Sequence, residues 1–215
     1  MERGFAVICA VVLAFTSHVC HAGKWQISPL AGYTYGGAFE EEDTGTDLNI
    51  EESPSLALAI DAEYEPDSQI EFYVSRQATE FKADPDDDDE TGLALFPAGE
   101  TLFDLDVYYI HIGGTYMWQE RVNDFQPYIV GTLGVTHFVP RNSDYDPATR
   151  PSISLGLGAR YWITKHVGLR AESRGFATLF NGSGSVFSNS EGLSIRVRSD
   201  AIGQIVANAG VFFEF

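Results

Sequence analysis

Apolar and polar residues alternate with a period of two through most of this chain, in segments of about ten residues. That is the pattern of strands with one face on hydrocarbon and the other on a polar interior. Leu56, Leu58, Ile60, Ala62 and Tyr64 share one face, and Ser55, Ala57, Ala59, Asp61 and Glu63 share the other. Ile153, Leu155, Leu157, Ala159, Tyr161 and Ile163 oppose Ser152, Ser154, Gly156, Gly158 and Arg160. Val167, Leu169 and Ala171 alternate with Arg170, Glu172 and Arg174. Ile205, Ala207, Ala209, Val211, Phe213 and Phe215 do so with Gln204, Asn208, Gly210 and Glu214. The spacing predicts eight strands, over 24–35, 54–64, 69–80, 102–118, 127–138, 151–163, 167–179 and 201–215. Around Tyr108-Tyr109 the alternation changes face, which predicts a β-bulge. In 127–138, Gly131, Thr132 and Gly134 leave the apolar side undefined.

The connections alternate in length. Glu65-Pro66-Asp67-Ser68, 119–126 and Thr164-Lys165-His166 are short, whereas 36–53, 81–101, 139–150 and 180–200 are long and polar. Outer-membrane barrels have this arrangement, with short periplasmic turns and long extracellular loops. A soluble barrel also alternates, but with its apolar face inward. Here the other face carries Asp61, Glu63, Glu71, Arg160, Arg170, Glu172 and Arg174, too much charge for a soluble β-core. The expected fold is all-β, an eight-stranded antiparallel up-and-down transmembrane β-barrel. No stretch of 23–215 approaches 18 apolar residues, so no spanning helix is predicted. Trp25, Tyr64, Tyr116, Trp118, Tyr128, Tyr161 and Phe215 fall near the short-turn ends, where an interfacial aromatic girdle belongs. Arg76 follows Ile70, Phe72 and Val74 on the apolar face, which sets it at the outer interface, toward lipid phosphates. A bulge would turn it inward instead.

Composition adds the compartment. Met1–Gly4 carry one Arg, Phe5–Phe15 are unbrokenly apolar, and Cys20-His21-Ala22 has the small residues of a cleavage site. This is the pattern of a secretory signal peptide over 1–22, leaving a single barrel domain over 23–215. Both cysteines, Cys9 and Cys20, lie in that leader, so 23–215 holds no disulfide and no Cys-based metal site. Thirteen Lys and Arg against 31 Asp and Glu give a net charge of −18, which argues against nucleic acid. The acid clusters in Glu40–Asp43, Glu51-Glu52 and Asp84–Glu90, read as solvated loops.

The stretch Asn208-Ala209-Gly210-Val211-Phe212-Phe213-Glu214-Phe215 resembles the C-terminal signal of outer-membrane barrels. The resemblance implies recognition by the barrel assembly machinery through Asn208, Gly210, Phe213 and Phe215. Pro127–Val135, and Trp25 with Gly32-Tyr33-Thr34-Tyr35, are similar to strands of the OmpA/OmpW-like "outer membrane protein β-barrel domain" grouping. This likeness implies residence in the outer membrane, among lipid and lipopolysaccharide. Members of the grouping serve as anchors, adhesins, narrow channels or conduits for hydrophobic compounds, so fold alone selects no role.

Candidate chemistry is sparse. Lipid A-modifying barrels need a Ser with a His at the outer rim. Of His111, His137 and His166, only His137 lies at that height, near Ser143 and Asp144. Asp84–Glu90 lacks the spacing of a calcium loop. No catalytic, cofactor-binding or metal residue is expected. The inward charges are the constellation that matters: Asp61, Glu63 and Glu71 on strands two and three, against Arg160, Arg170, Glu172 and Arg174 on strands six and seven. An eight-stranded lumen is only wide enough for side chains, and buried charges must pair. A transverse salt-bridge network closing the lumen is therefore expected. The leading function is a non-enzymatic structural or surface-interaction barrel with acidic loops. The alternative is a narrow channel or conduit for ions or small hydrophobic molecules, with a lipid A-modifying enzyme third.

Overall fold

The computed structural model describes residues 23–40, 47–83, 101–118, 122–141, 145–180, 185–188, 194–196 and 201–215. The expected leader, the Asp84–Glu90 run, most of Glu40–Asp43, and Ser143 and Asp144 lie outside the described residues. Twelve strands are described. They are β1 (Trp25–Gly36), β2 (Ala38–Glu40), β3 (Asp47–Ile50), β4 (Ser53–Glu65), β5 (Ser68–Ala83), β6 (Thr101–Tyr116), β7 (Phe125–Arg141), β8 (Ala148–Trp162), β9 (Val167–Leu179), β10 (Ser185–Ser188), β11 (Ser194–Arg196) and β12 (Ala201–Glu214). Eight of these close a barrel in the order β1-β4-β5-β6-β7-β8-β9-β12, every neighbour antiparallel and β12 returning to β1. Trp25 and Phe215 exchange backbone hydrogen bonds of 3.2 and 2.9 Å at that seam. The eight predicted segments are these eight strands, and closure leaves them no open edge, as a backbone in hydrocarbon requires.

Short turns join the strands at one end. Pro66 and Asp67 link β4 to β5, with Glu65 paired to Ser68. Before β7, Val122 and Phe125 exchange two hydrogen bonds of 3.0 Å around Asn123 and Asp124. Both of these residues have positive φ, at 49° and 66°, which is the two-residue turn whose twist matches paired strands. At the opposite end the wall is uneven. β5 to β8 run past their neighbours, and the β2–β3 hairpin adds to the upper part of β5 through Leu48↔Ala83 and Ile50↔Phe81.

The side-chain pattern is inside-out relative to a soluble protein: Leu155 on β8 is 71% exposed, while Arg160 on the same strand is fully buried. The lumen itself is layered. Toward the long-connection end it is packed with apolar side chains, including Phe81, Phe103, Leu105, Tyr109, Phe138 and Phe176. Phe81 stacks on Phe103 at 5.1 Å and Tyr109 on Phe176 at 4.0 Å. Toward the short turns the buried residues are charged.

This layering explains one departure from expectation. β6 has no bulge at Tyr108-Tyr109; Arg76↔Tyr108 and Ser75↔Tyr109 are in unbroken register, and the irregularity falls between Phe81 and Lys82. Hydropathy changes face because Phe103, Leu105, Val107 and Tyr109 point into the apolar layer. His111 and Thr115, on the same side, point into the polar one. A second departure concerns the girdle. Trp25, Tyr64, Tyr116, Trp118, Tyr161 and Phe215 are exposed as expected, but Tyr128 is buried in the lumen. On β7 the even positions face inward, and Gly158 opposite leaves room for the Tyr128 ring.

A side chain at Gly158 would meet both that ring and the Ala171 carbonyl. Gly158→Val should cost about 1–3 kcal/mol in urea unfolding of the refolded barrel, as overpacking does. Gly131→Ala, on the outer face with only Leu155 near, should leave the midpoint nearly unchanged.

Candidate functional site

The charged layer is built from strands on opposite sides of the barrel. Strand geometry puts Arg170, Glu172 and Arg174 on one face of β9, two residues apart. Register sets Asp61 of β4 opposite Glu71 of β5, and Arg160 of β8 opposite Arg170 of β9. Each pair is like-charged, and like charges directly across a ladder destabilise it. Glu172, between Arg170 and Arg174 on β9, relieves part of that conflict, and contact across the lumen relieves the rest.

Arg170 is the centre. Its Nη1 donates to Asp61 Oδ2 at 2.7 Å, its Nη2 to Glu172 Oε2 at 2.8 Å and to Glu71, and its Nε to the Tyr128 hydroxyl at 2.8 Å. Arg174 donates through Nε to Glu172 Oε1 at 2.8 Å and through Nη2 to Glu71 Oε1 at 2.8 Å. Arg160 reaches Gln69 Oε1 at 2.6 Å and Asp61 Oδ1 at 3.2 Å. Asp61, Glu71 and Glu172 thus face Arg160, Arg170 and Arg174 charge for charge, all essentially without solvent exposure.

Two tyrosines complete the layer. Tyr128 donates its hydroxyl to Glu172 Oε2 at 2.7 Å while both Arg160 and Arg170 lie against its ring, at 4.8 and 5.1 Å from the centroid. Arg174 sits 4.1 Å over Tyr73, whose hydroxyl accepts from Asn208 Nδ2 at 3.1 Å. The rings supply cation–π attraction and fill volume that water would otherwise occupy. Above them, His111 bridges Thr132 and Ser152 at 2.9 Å each, and Thr132 contacts Ser154, so a hydroxyl layer separates ions from the apolar packing.

Six of the seven expected charges meet here. Glu63 does not. It lies at the short-turn mouth, where Oε2 accepts from the Lys24 backbone N–H at 3.0 Å. A bulge between Glu63 and Glu65 ends the regular β4–β5 pairing at that point. Sequence reasoning missed Tyr73, Tyr128 and Gln69; a glycine, Gly158, opposite an inward Tyr was the available signal for Tyr128. Of the expected assembly residues, Phe213 and Phe215 point outward, Asn208 is inside against Tyr73, and Gly210 abuts the Pro29 carbonyl. His137 contacts Thr149 on the outer wall at 2.8 Å, and His166 lies at a short turn by the Glu214 carbonyl. Among the described residues, His111 meets the Ser152 hydroxyl at 2.9 Å, with both buried in the packed lumen.

The sequence matches no protein-family model and no curated protein. The structure is similar to the outer membrane protein OprG from Pseudomonas aeruginosa (15% identity over 90% of this chain and 96% of that one, TM-score 0.59). It is also similar to the outer membrane protein AlkL in DMPC lipid bilayers (16% identity, 90% of each chain, TM-score 0.56). A third likeness is to Neisserial surface protein A (14% identity, 89% of this chain and 97% of that one, TM-score 0.55). At such identities the likeness is one of fold. The chain has the small eight-stranded barrel architecture that its strand pattern and its resemblance implied.

Removing Arg170 takes one partner from each of three carboxylates and leaves Arg160 and Arg174 alone against them, one negative charge uncompensated. Arg170→Ala should lower stability by about 3–5 kcal/mol, the cost of an uncompensated buried charge, measured by urea unfolding. In combination with Asp61→Asn the losses should fall short of additive, with a coupling of about 0.5–3 kcal/mol. Additive losses would mean that the two groups do not share a network.

Proposed function

We propose that this chain spans an outer membrane as a sealed barrel, with a structural or surface-interaction role carried by its long acidic connections. The observation that carries this reading is the interlocked ion layer, whose side chains have no solvent exposure, beneath a packed apolar layer. Membrane residence is supported by the exterior. Leu56, Leu133, Leu155, Leu157 and Ile205 are all more than half exposed, which water would penalise and lipid favours. Trp25, Tyr64, Tyr116, Trp118, Tyr161 and Phe215 ring the short-turn end, and Tyr33, Tyr35 and Tyr108 lie toward the other. No helix among the described residues is long and apolar enough to cross a membrane. In this reading the short turns face the periplasm and the connections face outward. Lipid and lipopolysaccharide surround the belt, and the assembly machinery reads the outward rings of Phe213 and Phe215.

In planar bilayers the purified protein should show little or no steady conductance, and Arg170→Ala should conduct more as water enters the broken layer. Large, steady conductance from the unaltered protein, insensitive to Arg170, would replace this reading with that of a channel.

A further inference from the structure

One carboxylate on the outside of the barrel is buried all the same. Asp106 occupies an outward position on β6, yet its side chain is only 7% exposed because two arginines cover it. Arg76 of β5 places Nη2 at 3.1 Å from both Asp106 oxygens, and Arg141 of β7 places Nε at 3.4 Å from Oδ2. Two guanidiniums share this one carboxylate, and Asp104 lies opposite Arg141 in register. Both remain half in solvent, at 51% and 43% side-chain exposure. The Arg76 guanidinium also lies 5.9 Å from the centroid of the Tyr108 ring, which packs beside His137.

Height gives this cluster its meaning. In cross-strand register, the row Arg76–Tyr108–His137–Thr149 follows directly on the row Val74–Ile110–Val135–Pro151. Below that lie Phe72, Ile112, Leu133 and Ile153. Residues 68 to 76 span about 26 Å along the strand, roughly 20 Å in height at the usual tilt, near the thickness of an outer-membrane apolar band. The arginines therefore stand where hydrocarbon gives way to headgroups. Above them opens a polar cleft of about 340 Å³, lined by Glu51, Ser53, Glu80, Lys82, Asp104 and Arg141. Lys82 is tied there to Glu80 at 3.0 Å and Glu51 at 3.6 Å.

We infer that Arg76 and Arg141, pre-set by Asp106, form a lateral binding site for the phosphorylated headgroup of an outer-leaflet glycolipid. Guanidinium forks match phosphate oxygens. Holding both arginines on a buried carboxylate lowers the entropy lost when they engage a ligand. The cleft above, rich in carboxylates, offers acceptors to sugar hydroxyls, while the acyl chains lie along Val74, Ile110 and Val135. The inference rests on membrane insertion, as proposed above, and is independent of whether the lumen conducts.

The test titrates the mature chain, refolded in detergent micelles, with bisphosphorylated lipid A, with the dephosphorylated lipid and with inorganic phosphate, reading binding by calorimetry. The bisphosphorylated lipid should bind at least about tenfold more tightly than the dephosphorylated one, the scale of one or more charge-assisted hydrogen bonds. Arg76→Ala with Arg141→Ala should abolish that preference. Arg76→Lys with Arg141→Lys should keep part of it, and heat-modifiable migration should confirm that both variants are folded. Equal affinity for the two lipids, or a preference that survives the double Ala variant, overturns the proposal. So does full competition by inorganic phosphate, which would make the ligand a soluble anion. A chain that fails to insert into vesicles would instead overturn the membrane reading itself.

Discussion

Closing eight strands fixes the size of the interior, and everything inside must then fit and neutralise itself. A lumen that side chains just fill leaves little room to hydrate an ion. The register nevertheless places Asp61 beside Glu71 and Arg160 beside Arg170. Glu172 offsets Arg170 and Arg174 within β9, and Asp61 and Glu71 are offset only by contact across the diameter between β4–β5 and β8–β9. The network joins opposite walls, so it couples the stability of each wall to that of the other. The β4–β5 hairpin alone would hold Asp61 beside Glu71 without the arginines that neutralise them. The ion layer thereby favours the closed barrel over partial sheets, a specificity role for buried charge rather than a large net gain in energy.

The two halves of the lumen act by different physics. The apolar layer excludes water through packing among Phe81, Leu105, Tyr109 and Phe176, where each small gap forfeits dispersion contacts. The ionic layer excludes ions through mutual pairing of its charges, with Arg160 Nε and Arg174 Nη1 left without a hydrogen-bond partner. Tyr73, Tyr109 and His111 lie between or beside the two and give each a polar edge and an apolar edge. On the outside the sequence of layers is reversed. The apolar belt gives way to Arg76, Asp106 and Arg141 toward the long-connection end.

Much of this was legible in the chain. Alternation located all eight barrel strands, because the outside of the barrel and its lumen impose opposite demands on successive residues. Six network charges were legible for the same reason: Asp61, Glu71, Arg160, Arg170, Glu172 and Arg174 break apolar alternation on the inward side. Strands β6 and β7 resisted because period-two reasoning assumes a polar interior. Their inward positions at Phe103–Tyr109 and Tyr128–Val130 are apolar or aromatic, facing packed layers rather than water. Glu63 misled because a bulge ends the pairing beside it, which spacing does not reveal. Arg76 was placed outward correctly, but Asp106, its partner on the adjacent strand, could be found only from register.

Arg170 is locked in a dry layer of paired ions, with hydrogen bonds from Nε, Nη1 and Nη2. The most direct measurement is the exchange of arginine side-chain N–H protons with deuterated water, followed by nitrogen-resolved magnetic resonance on the barrel in bilayers. The account predicts that Arg170 Nε–H and Nη–H signals are resolved and exchange orders of magnitude more slowly than those of the rim residues Arg76 and Arg141. Exchange of Arg170 as fast as theirs would contradict it and put water where the structure places paired ions.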